Sequence, residues 1–183
     1  KLVSKEMFDV ASTPVELTDG QSFMYGFGWL LPEIKGVKSM EHNGGIDGFF
    51  SQVIRIPEQN VYVAVITNAE HINSQNIAEE IAAMVIGKPI ERIKSLRSDL
   101  AKYVGEYDFG NGQLRTITAE DGYLYEQING GQTNKLSSTA ASEFYYDLGL
   151  NYVTFDHNTE NGEMIFHHRY GGETKGVKKS EAQ

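Results

Sequence analysis

Paired turn residues recur at short intervals after residue 103, and this spacing constrains the fold more than any other feature of the chain. Such pairs favour tight turns between strands, and they stand at 111–112, 121–122, 129–131, 161–162 and 171–172. Between them lie eight runs rich in β-branched and aromatic residues: 103–109, 113–119, 122–128, 132–137, 142–147, 151–157, 163–169 and 174–178. Regularly spaced short strands are typical of barrels and sandwiches. Eight in succession predict an up-and-down barrel, which leaves no exposed sheet edge.

Earlier in the chain, two runs rich in valine and isoleucine read as strands of an antiparallel meander, Ser51 to Ile56 and Val61 to Thr67. The segment 57–60 connects them, and its proline ends the first run because proline cannot continue a central strand. Both faces of the second run are apolar, so we expect it to be covered on both sides. The aromatic and glycine run Tyr25 to Leu31 reads as a further strand, with Tyr25 and Trp29 in the core.

Residues 73–86 are expected to form a helix that packs onto this meander. Asn73 or Ser74 can cap its N terminus, and Gly87 fits the position after its last turn. Its apolar residues recur at helical spacing and form the expected packing stripe: Ile77, Ile81, Met84 and Val85.

Together these patterns predict the α+β fold class, with a partial antiparallel sheet and packing helices followed by an all-β barrel. We expect the first domain to span residues 1–87 and the barrel to span 100–183. Residues 88–99 have a proline near their start, Pro89, and carry mixed charge, which is typical of a linker.

Charge and composition narrow the possible functions. The 183-residue chain has a formal net charge of −9, which argues against nucleic-acid binding because phosphate contacts need clustered lysine and arginine. It has no cysteine, and therefore no disulfide or thiolate metal site. His167 and His168 are neighbours on a predicted strand and point to opposite faces, so they and His157 do not predict a metal site. No cofactor is implied, and no apolar run approaches the ~20 residues of a membrane helix.

A glycine cluster with a histidine at its entrance is the candidate functional stretch. It reads His42-Asn43-Gly44-Gly45 within residues 39–50. Glycines let a backbone come close to another group, and histidine can titrate near neutral pH. On these residues alone, a glycine-rich turn with an incidental histidine explains the stretch equally well.

The order of the surrounding motifs resembles the last part of the serine β-lactamase and penicillin-binding-protein-like hydrolases, in the class C-like branch with esterases and D-aminopeptidases. Tyr-Gly-x-Gly-Trp at 25–29 precedes His-x-Gly-Gly, then Gly48-Phe49 and a valine-rich strand that ends in Thr67-Asn68. The resemblance covers roughly residues 1–87. That family carries a third motif, Lys-Thr-Gly or His-x-Gly, on a strand beside the active site.

The resemblance assigns roles to four residues. His42 would help bind the substrate carboxylate or tune the proton relay, and Asn43 and Gly44 would bind substrate. Gly45 directly follows the motif, and its backbone N–H would belong to the oxyanion hole. No metal or organic cofactor is implied.

Two further motifs of the family lie before the Tyr-Gly-x-Gly-Trp strand: the Ser-x-x-Lys nucleophile motif and a Tyr-x-Asn or Ser-x-Asn motif. This sequence has no Ser-x-x-Lys, and its Ser74-Gln75-Asn76 follows the histidine motif and reads as a helix start. We therefore expect the C-terminal part of a serine hydrolase that acts on amide, ester or lactam bonds through an acyl-enzyme. The chain alone would be inactive.

The expected partners are the missing N-terminal half of the hydrolase domain, a small-molecule or peptide-like substrate and, as a further option, other copies of the chain. By resemblance alone, the location would be the periplasm or cell envelope. The segment 103–107 also resembles the opening of lipocalin-like C-terminal domains attached to these hydrolases, over roughly residues 100–180. An alternative function remains open, a barrel that binds a small ligand or mediates oligomerisation without catalysis.

Overall fold

The computed structural model describes residues 2–95, 97–139, 142–159 and 162–179, without the side chains of residues 97 and 98. Its contacts divide the chain into two compact units, residues 1–89 and 90–183. Within the described ranges, no helix is long and apolar enough to span a membrane. The same ranges contain no group of three histidine, aspartate or glutamate side chains that could hold a metal ion.

The first unit is built on a three-stranded antiparallel sheet. Its described elements are α1 (Lys5–Ala11), β1 (Val15–Glu16), β2 (Ser22–Phe23), β3 (Glu33–Ile34), β4 (Val37–Lys38), β5 (Met40–Ile46), β6 (Phe49–Ile56), a 3-10 turn (Pro57–Gln59), β7 (Val61–Thr67) and α2 (Ser74–Val85). The strand order in the sheet is β5-β6-β7. Strands β1 and β2 pair with each other, as do β3 and β4. The predicted antiparallel pairing of the runs 51–56 and 61–67 is therefore confirmed. The strand that precedes them in the sheet is β5, which carries the histidine motif, and not the Tyr25 to Leu31 run that was expected there.

Helix α2 covers one face of this sheet, as expected, but only part of the predicted stripe is buried. The Asn73 side chain caps the helix by accepting a hydrogen bond from the Asn76 N–H at 3.0 Å. The buried helix positions include Ala78, Ala82 and Ala83, and Ile77 and Ile81 are half-buried. Met84 and Val85 are more than half exposed, so the prediction is wrong for these two residues. Small alanine side chains let a helix lie close to a sheet.

The opposite face of the sheet is exposed, so the expectation that β7 is covered on both sides is wrong for the described residues. The exposed fractions are 62% for Tyr62 and 77% for Ile66 on β7. Ile46 and Phe49, at the neighbouring strand ends, are 73% and 54% exposed. We call this surface the open face. The residues that share it are His42, Gly44, Ile46, Phe49, Ser51, Val53, Arg55, Tyr62, Ala64 and Ile66, of which Ser51 and Val53 are half-buried.

The second unit is a closed barrel of eight antiparallel strands. Its described elements are α3 (Arg97–Leu100), a 3-10 turn (Ala101–Tyr103), β8 (Gly105–Asp108), β9 (Leu114–Glu120), β10 (Tyr123–Ile128), β11 (Thr133–Ser138), β12 (Phe144–Tyr146), β13 (Tyr152–Asp156), β14 (Glu163–His167) and β15 (Glu173–Lys178). Each strand pairs with the next, and β15 pairs with β8. The predicted α+β fold class with an eight-stranded barrel is confirmed.

The turn residues explain why the barrel could be foreseen. Asn111, Asp121 and Asn129 have φ of 51°, 49° and 49° and are each followed by a glycine with positive φ. Two successive residues in the left-handed region make the turn whose twist matches a hairpin. Between β9 and β10 the loop is Asp121-Gly122 alone, with Glu120 paired to Tyr123.

Residues 90–95 lie along the barrel and are hydrogen-bonded to it. The Ile93 N–H donates to the Ser138 carbonyl at 2.7 Å, and the Ser95 N–H donates to the Gly122 carbonyl at 2.9 Å. The Arg92 side chain donates to the Tyr146 carbonyl at 2.9 Å. This strap, residues 90–95, therefore belongs structurally to the second unit.

Side chains fill the barrel interior. The core residues are Leu100, Tyr103, Tyr107, Ile117, Leu124, Leu136, Phe144, Val153 and Met164. Among them lies a buried ion pair, with Arg115 Nη1 and Glu126 Oε1 2.8 Å apart. The Tyr146 hydroxyl donates to the other Glu126 oxygen at 2.7 Å. Burial and the negative charge of Glu126 together raise the pKa of Tyr146, so it remains a neutral donor.

We expect Glu126→Ala to lower the free energy of unfolding of the barrel by about 3–5 kcal/mol, because it leaves the Arg115 charge buried without its partner. Replacing the pair with Arg115→Met and Glu126→Leu should restore most of that stability. Urea unfolding followed by near-ultraviolet tyrosine circular dichroism measures both effects. Glu120→Ala, at an exposed position on the neighbouring strand, is the matched control; an equal loss there would contradict a special role for the ion pair.

Candidate functional site

The histidine motif lies on β5, which is an edge strand of its sheet. One short contact covers the beginning of this edge: the Leu30 N–H donates to the Glu41 carbonyl, and the Glu41 N–H donates to the Leu30 carbonyl, each at 2.8 Å. After Glu41, the described residues provide β5 with strand partners on the β6 side alone. The edge from His42 onward is therefore open.

The direction of each peptide group on β5 follows from that contact. Peptide groups along an antiparallel strand face alternate edges. Since Glu41 faces Leu30, Asn43 and Gly45 also face the open edge, whereas His42 and Gly44 pair with β6. The N–H of Gly45, the predicted oxyanion donor, thus points out of the sheet at an exposed position.

The two glycines lie in a regular strand, not in the bulge or turn that would explain them without a function. A Cβ on Gly44 would lie 2.9 Å from Ser51 Oγ, and one on Gly45 would lie 3.3 Å from the Phe50 ring. Both neighbours are side-chain atoms that can move, a hydroxyl beside Gly44 and a ring beside Gly45. Packing alone therefore does not require a glycine at either position.

The run Tyr25 to Leu31 forms a tight turn, and the prediction of a strand there is wrong. Tyr25 and Leu30 form a single bridge, and the Gly26 N–H donates to the Trp29 carbonyl at 2.7 Å. Gly28 has φ of 74°, which the turn requires and which favours glycine. Tyr25 is 40% exposed and Trp29 is half-buried, so neither lies in the sheet core as expected.

Helix α1 holds this turn in place. The Phe27 N–H donates to the carbonyl of Ala11, the last residue of α1, at 3.0 Å. A Cβ on Gly26 would collide with that same carbonyl oxygen. The glycine is therefore needed for the helix end to approach the turn.

His42 is hydrogen-bonded through both ring nitrogens. Its Nε2 lies 3.2 Å from the Tyr25 hydroxyl, and its Nδ1 lies 2.7 Å from the carbonyl oxygen of Asn43. The Tyr25 and His42 rings meet edge to face, with centroids 6.4 Å apart. The tight turn thus places the Tyr25 hydroxyl within hydrogen-bond distance of His42 on the motif strand.

A cleft of about 420 Å³ lies beside the motif. Asn43, Gly44 and Ser51 line one wall, and the loop between β7 and α2 lines the other with Glu70 and His71. Sequence reasoning missed these two residues, although they lie in a polar loop directly after the last strand of the predicted meander, where they could have been noticed. The cleft therefore offers a carboxylate and an imidazole to a ligand.

A buried carboxylate, that of Glu41, forms hydrogen bonds at the beginning of the motif strand. Glu41 is fully buried and accepts a hydrogen bond from the Ser39 hydroxyl at 2.7 Å. The Gln52 amide donates to its other oxygen at 3.5 Å. Glu41 was also missed, because an acidic residue within a strand pattern reads as solvent-exposed.

No protein-family model matches the chain. Two curated relatives do: penicillin-binding protein 4* of Bacillus subtilis strain 168, and D-aminopeptidase of Gluconobacter oxydans strain 621H. The first is 27% identical over 157 residues, which cover 78% of the chain and 34% of the relative. The second is 29% identical over 93 residues, which cover 50% of the chain and 17% of the relative. The chain therefore matches 34% of the length of the first relative and 17% of the length of the second.

Solved structures that match the chain include the octameric penicillin-binding protein homologue from Pyrococcus abyssi, with a TM-score of 0.46 and 19% identity. That likeness covers 97% of the chain and 42% of the homologue. SurE with D-Leu has a TM-score of 0.42 and 16% identity, over 97% of the chain and 44% of that structure.

Gly26→Ala should displace the Tyr25–Leu30 turn from α1 and lower the stability of the first unit by about 1–3 kcal/mol, the usual cost of overpacking. Trp29 is the single tryptophan of the chain and lies in this turn, so its fluorescence reports the displacement directly. Gly45→Ala in the same unit is the control, since its Cβ meets a movable ring. If Trp29 emission and the thermal midpoint were the same in both variants, α1 would not determine the position of the turn.

Proposed function

We propose that this chain, a homologue of serine β-lactamase-like hydrolases, is the C-terminal part of a serine acyl hydrolase. The whole enzyme would cleave an amide, ester or lactam bond through an acyl-enzyme. The observation that carries the proposal is the open edge of β5, where the Gly45 N–H faces away from the sheet. Resemblance to the two relatives supports the reaction class, and localisation in the periplasm or cell envelope is part of the same proposal.

Gly45 would stabilise the negative charge that develops on the substrate carbonyl oxygen. A backbone N–H fixed in a strand needs no reorganisation when that charge appears, and such a donor is worth about 2.7–4 kcal/mol in the transition state. The second donor would be the N–H of the nucleophilic serine. This serine would come from a Ser-x-x-Lys motif outside the chain, because the sequence contains none.

The same edge would align the substrate. The peptide groups of Asn43 and Gly45 face outward, so an extended substrate chain can add to β5 as a further strand. Asn43 and Gly44 also line the cleft, where they would contact the substrate beside the scissile bond. His42 would act from the other face of the strand, paired with Tyr25.

The missing N-terminal half of the hydrolase domain is the partner that we propose for the open face. Large contiguous apolar patches mark interaction sites. Burial contributes about 25 cal/mol per Å² of apolar surface, so covering several hundred Å² contributes several kcal/mol. That amount is comparable with the ~5–15 kcal/mol stability of a whole domain.

Catalysis gives the direct test. The isolated chain should hydrolyse neither nitrocefin nor p-nitrophenyl esters above the buffer rate, whereas the protein from the complete reading frame should do so. In that protein, Gly45→Pro removes the outward N–H and should lower kcat about 10²–10³-fold, while Gly45→Ala keeps the N–H and should retain most activity. Full activity of Gly45→Pro would exclude Gly45 as the oxyanion donor. If the isolated chain hydrolysed these substrates and His42→Ala abolished the activity, a nucleophile from outside the chain would not be needed.

The partner proposal predicts that the isolated chain self-associates and binds an apolar dye, and that the complete protein does neither through this face. Tyr62→Ser with Ile66→Ser should reduce both effects in the isolated chain. Met84→Ser with Val85→Ser changes equally exposed residues on α2 and is the matched control. Analytical ultracentrifugation measures the association, and dye fluorescence measures the exposed apolar surface. If the isolated chain is a monomer that binds no dye, the open face needs no partner. If the complete protein associates as strongly as the isolated chain, the partner of the open face is a second copy.

A further inference from the structure

The hydrogen bonds of His42 determine its tautomer. A carbonyl oxygen can only accept, so the 2.7 Å contact between His42 Nδ1 and the Asn43 carbonyl requires a proton on Nδ1. In the neutral ring, Nε2 is then the acceptor. The Tyr25 hydroxyl, 3.2 Å away, must donate to it.

This arrangement leaves neutral His42 without an available lone pair. Its proton-bearing nitrogen is held by its own strand, and its basic nitrogen is held by a residue from the tight turn. The phenolic oxygen of Tyr25 has given its hydrogen to the ring, so its own lone pairs remain as acceptors. Toward a substrate, the pair therefore offers a phenolic acceptor in place of a free imidazole base.

The fold positions Tyr25 through contacts that are independent of His42. The Leu30–Glu41 hydrogen bonds attach the turn to the motif strand, one residue before His42. The contact between Gly26 and the end of α1 fixes the other side of the turn. Tyr25 thus reaches His42 because two neighbouring elements hold its backbone.

We propose that Tyr25 is a positioning residue that holds His42 as the Nδ1–H tautomer and occupies its Nε2. The role of Tyr25 in catalysis rests on the proposed function, because His42 and Gly45 belong to the same candidate site on β5. The proposal adds a residue that the His-x-Gly motif does not contain and that sequence reasoning placed in the core.

The accessibility of Nε2 can be measured by carbethoxylation with diethyl pyrocarbonate, which attacks the lone pair of a neutral imidazole nitrogen. Mass spectrometry of peptides gives the rate at His42 relative to the exposed His71 in the same molecule. Tyr25→Phe removes the donor and keeps the ring, so the His42/His71 rate ratio should rise about 2- to 10-fold, the factor for one hydrogen bond. Tyr62→Phe, on the same sheet face and away from His42, should leave the ratio unchanged.

Trp29 fluorescence distinguishes the loss of the Tyr25–His42 hydrogen bond from a displacement of the whole turn, because a displaced turn would alter the Trp29 emission. An unchanged ratio in Tyr25→Phe, with unchanged Trp29 emission, would overturn the proposal. An equal rise in Tyr62→Phe would overturn it as well, since the effect would then not depend on the Tyr25 contact. If Tyr25→Phe disturbs Trp29, the ¹⁵N chemical shifts of the His42 ring in the unaltered protein give the tautomer directly. A neutral ring with its proton on Nε2 would then overturn the proposal. The measurement needs no hydrolysis, so a failure of the hydrolase proposal at Gly45 would be recognised separately.

Discussion

The pair of hydrogen bonds between Leu30 and Glu41 determines most of what is distinctive about the candidate site. It sets which peptide groups of β5 face outward, and hence the direction of the Gly45 N–H. It also attaches the tight turn that carries Tyr25 to the strand that carries His42. Glu41 reinforces this junction with a buried carboxylate held by Ser39. One short contact therefore aligns a backbone donor and a side-chain pair on neighbouring parts of the same edge.

The barrel could be predicted because the residues that determine its turns are close together in the sequence. Turns such as Asp121-Gly122 need particular residues at particular positions, and each turn also fixes the register of its two strands. The capped helix α2 was predictable for the same reason, since Asn73 acts on its own first turn. The order of the motifs, in turn, was enough to identify related hydrolases whose match to the chain is partial.

The wrong predictions for the Tyr25 to Leu31 run and for the packing of α2 depend on contacts between different elements. Nothing near Gly26 indicates that the end of α1 approaches it, so the aromatic run was taken for a strand. The alanines of α2 carry little hydrophobic signal, yet their small size lets the helix lie close to the sheet, and they outweigh the Met84 and Val85 stripe. The bond between Tyr25 and His42 joins residues 17 positions apart, and no pattern within either segment predicts it.

Closure of the barrel has a consequence for its folding. All but one of its strand pairings join neighbours in sequence; the exception, β8 with β15, joins the two ends of the unit through Asp108–Val177 and Tyr107–Lys178. Forming it requires closing the longest loop, which costs the most chain entropy, while the hairpins need only local closure. This pairing is the seam of the barrel. The seam should therefore form last during folding and open first during unfolding. A circular permutant of the barrel would join the end of β15 to the start of β8 and begin at a hairpin turn such as Asp121-Gly122. In that permutant the seam would be a contact between neighbours in sequence.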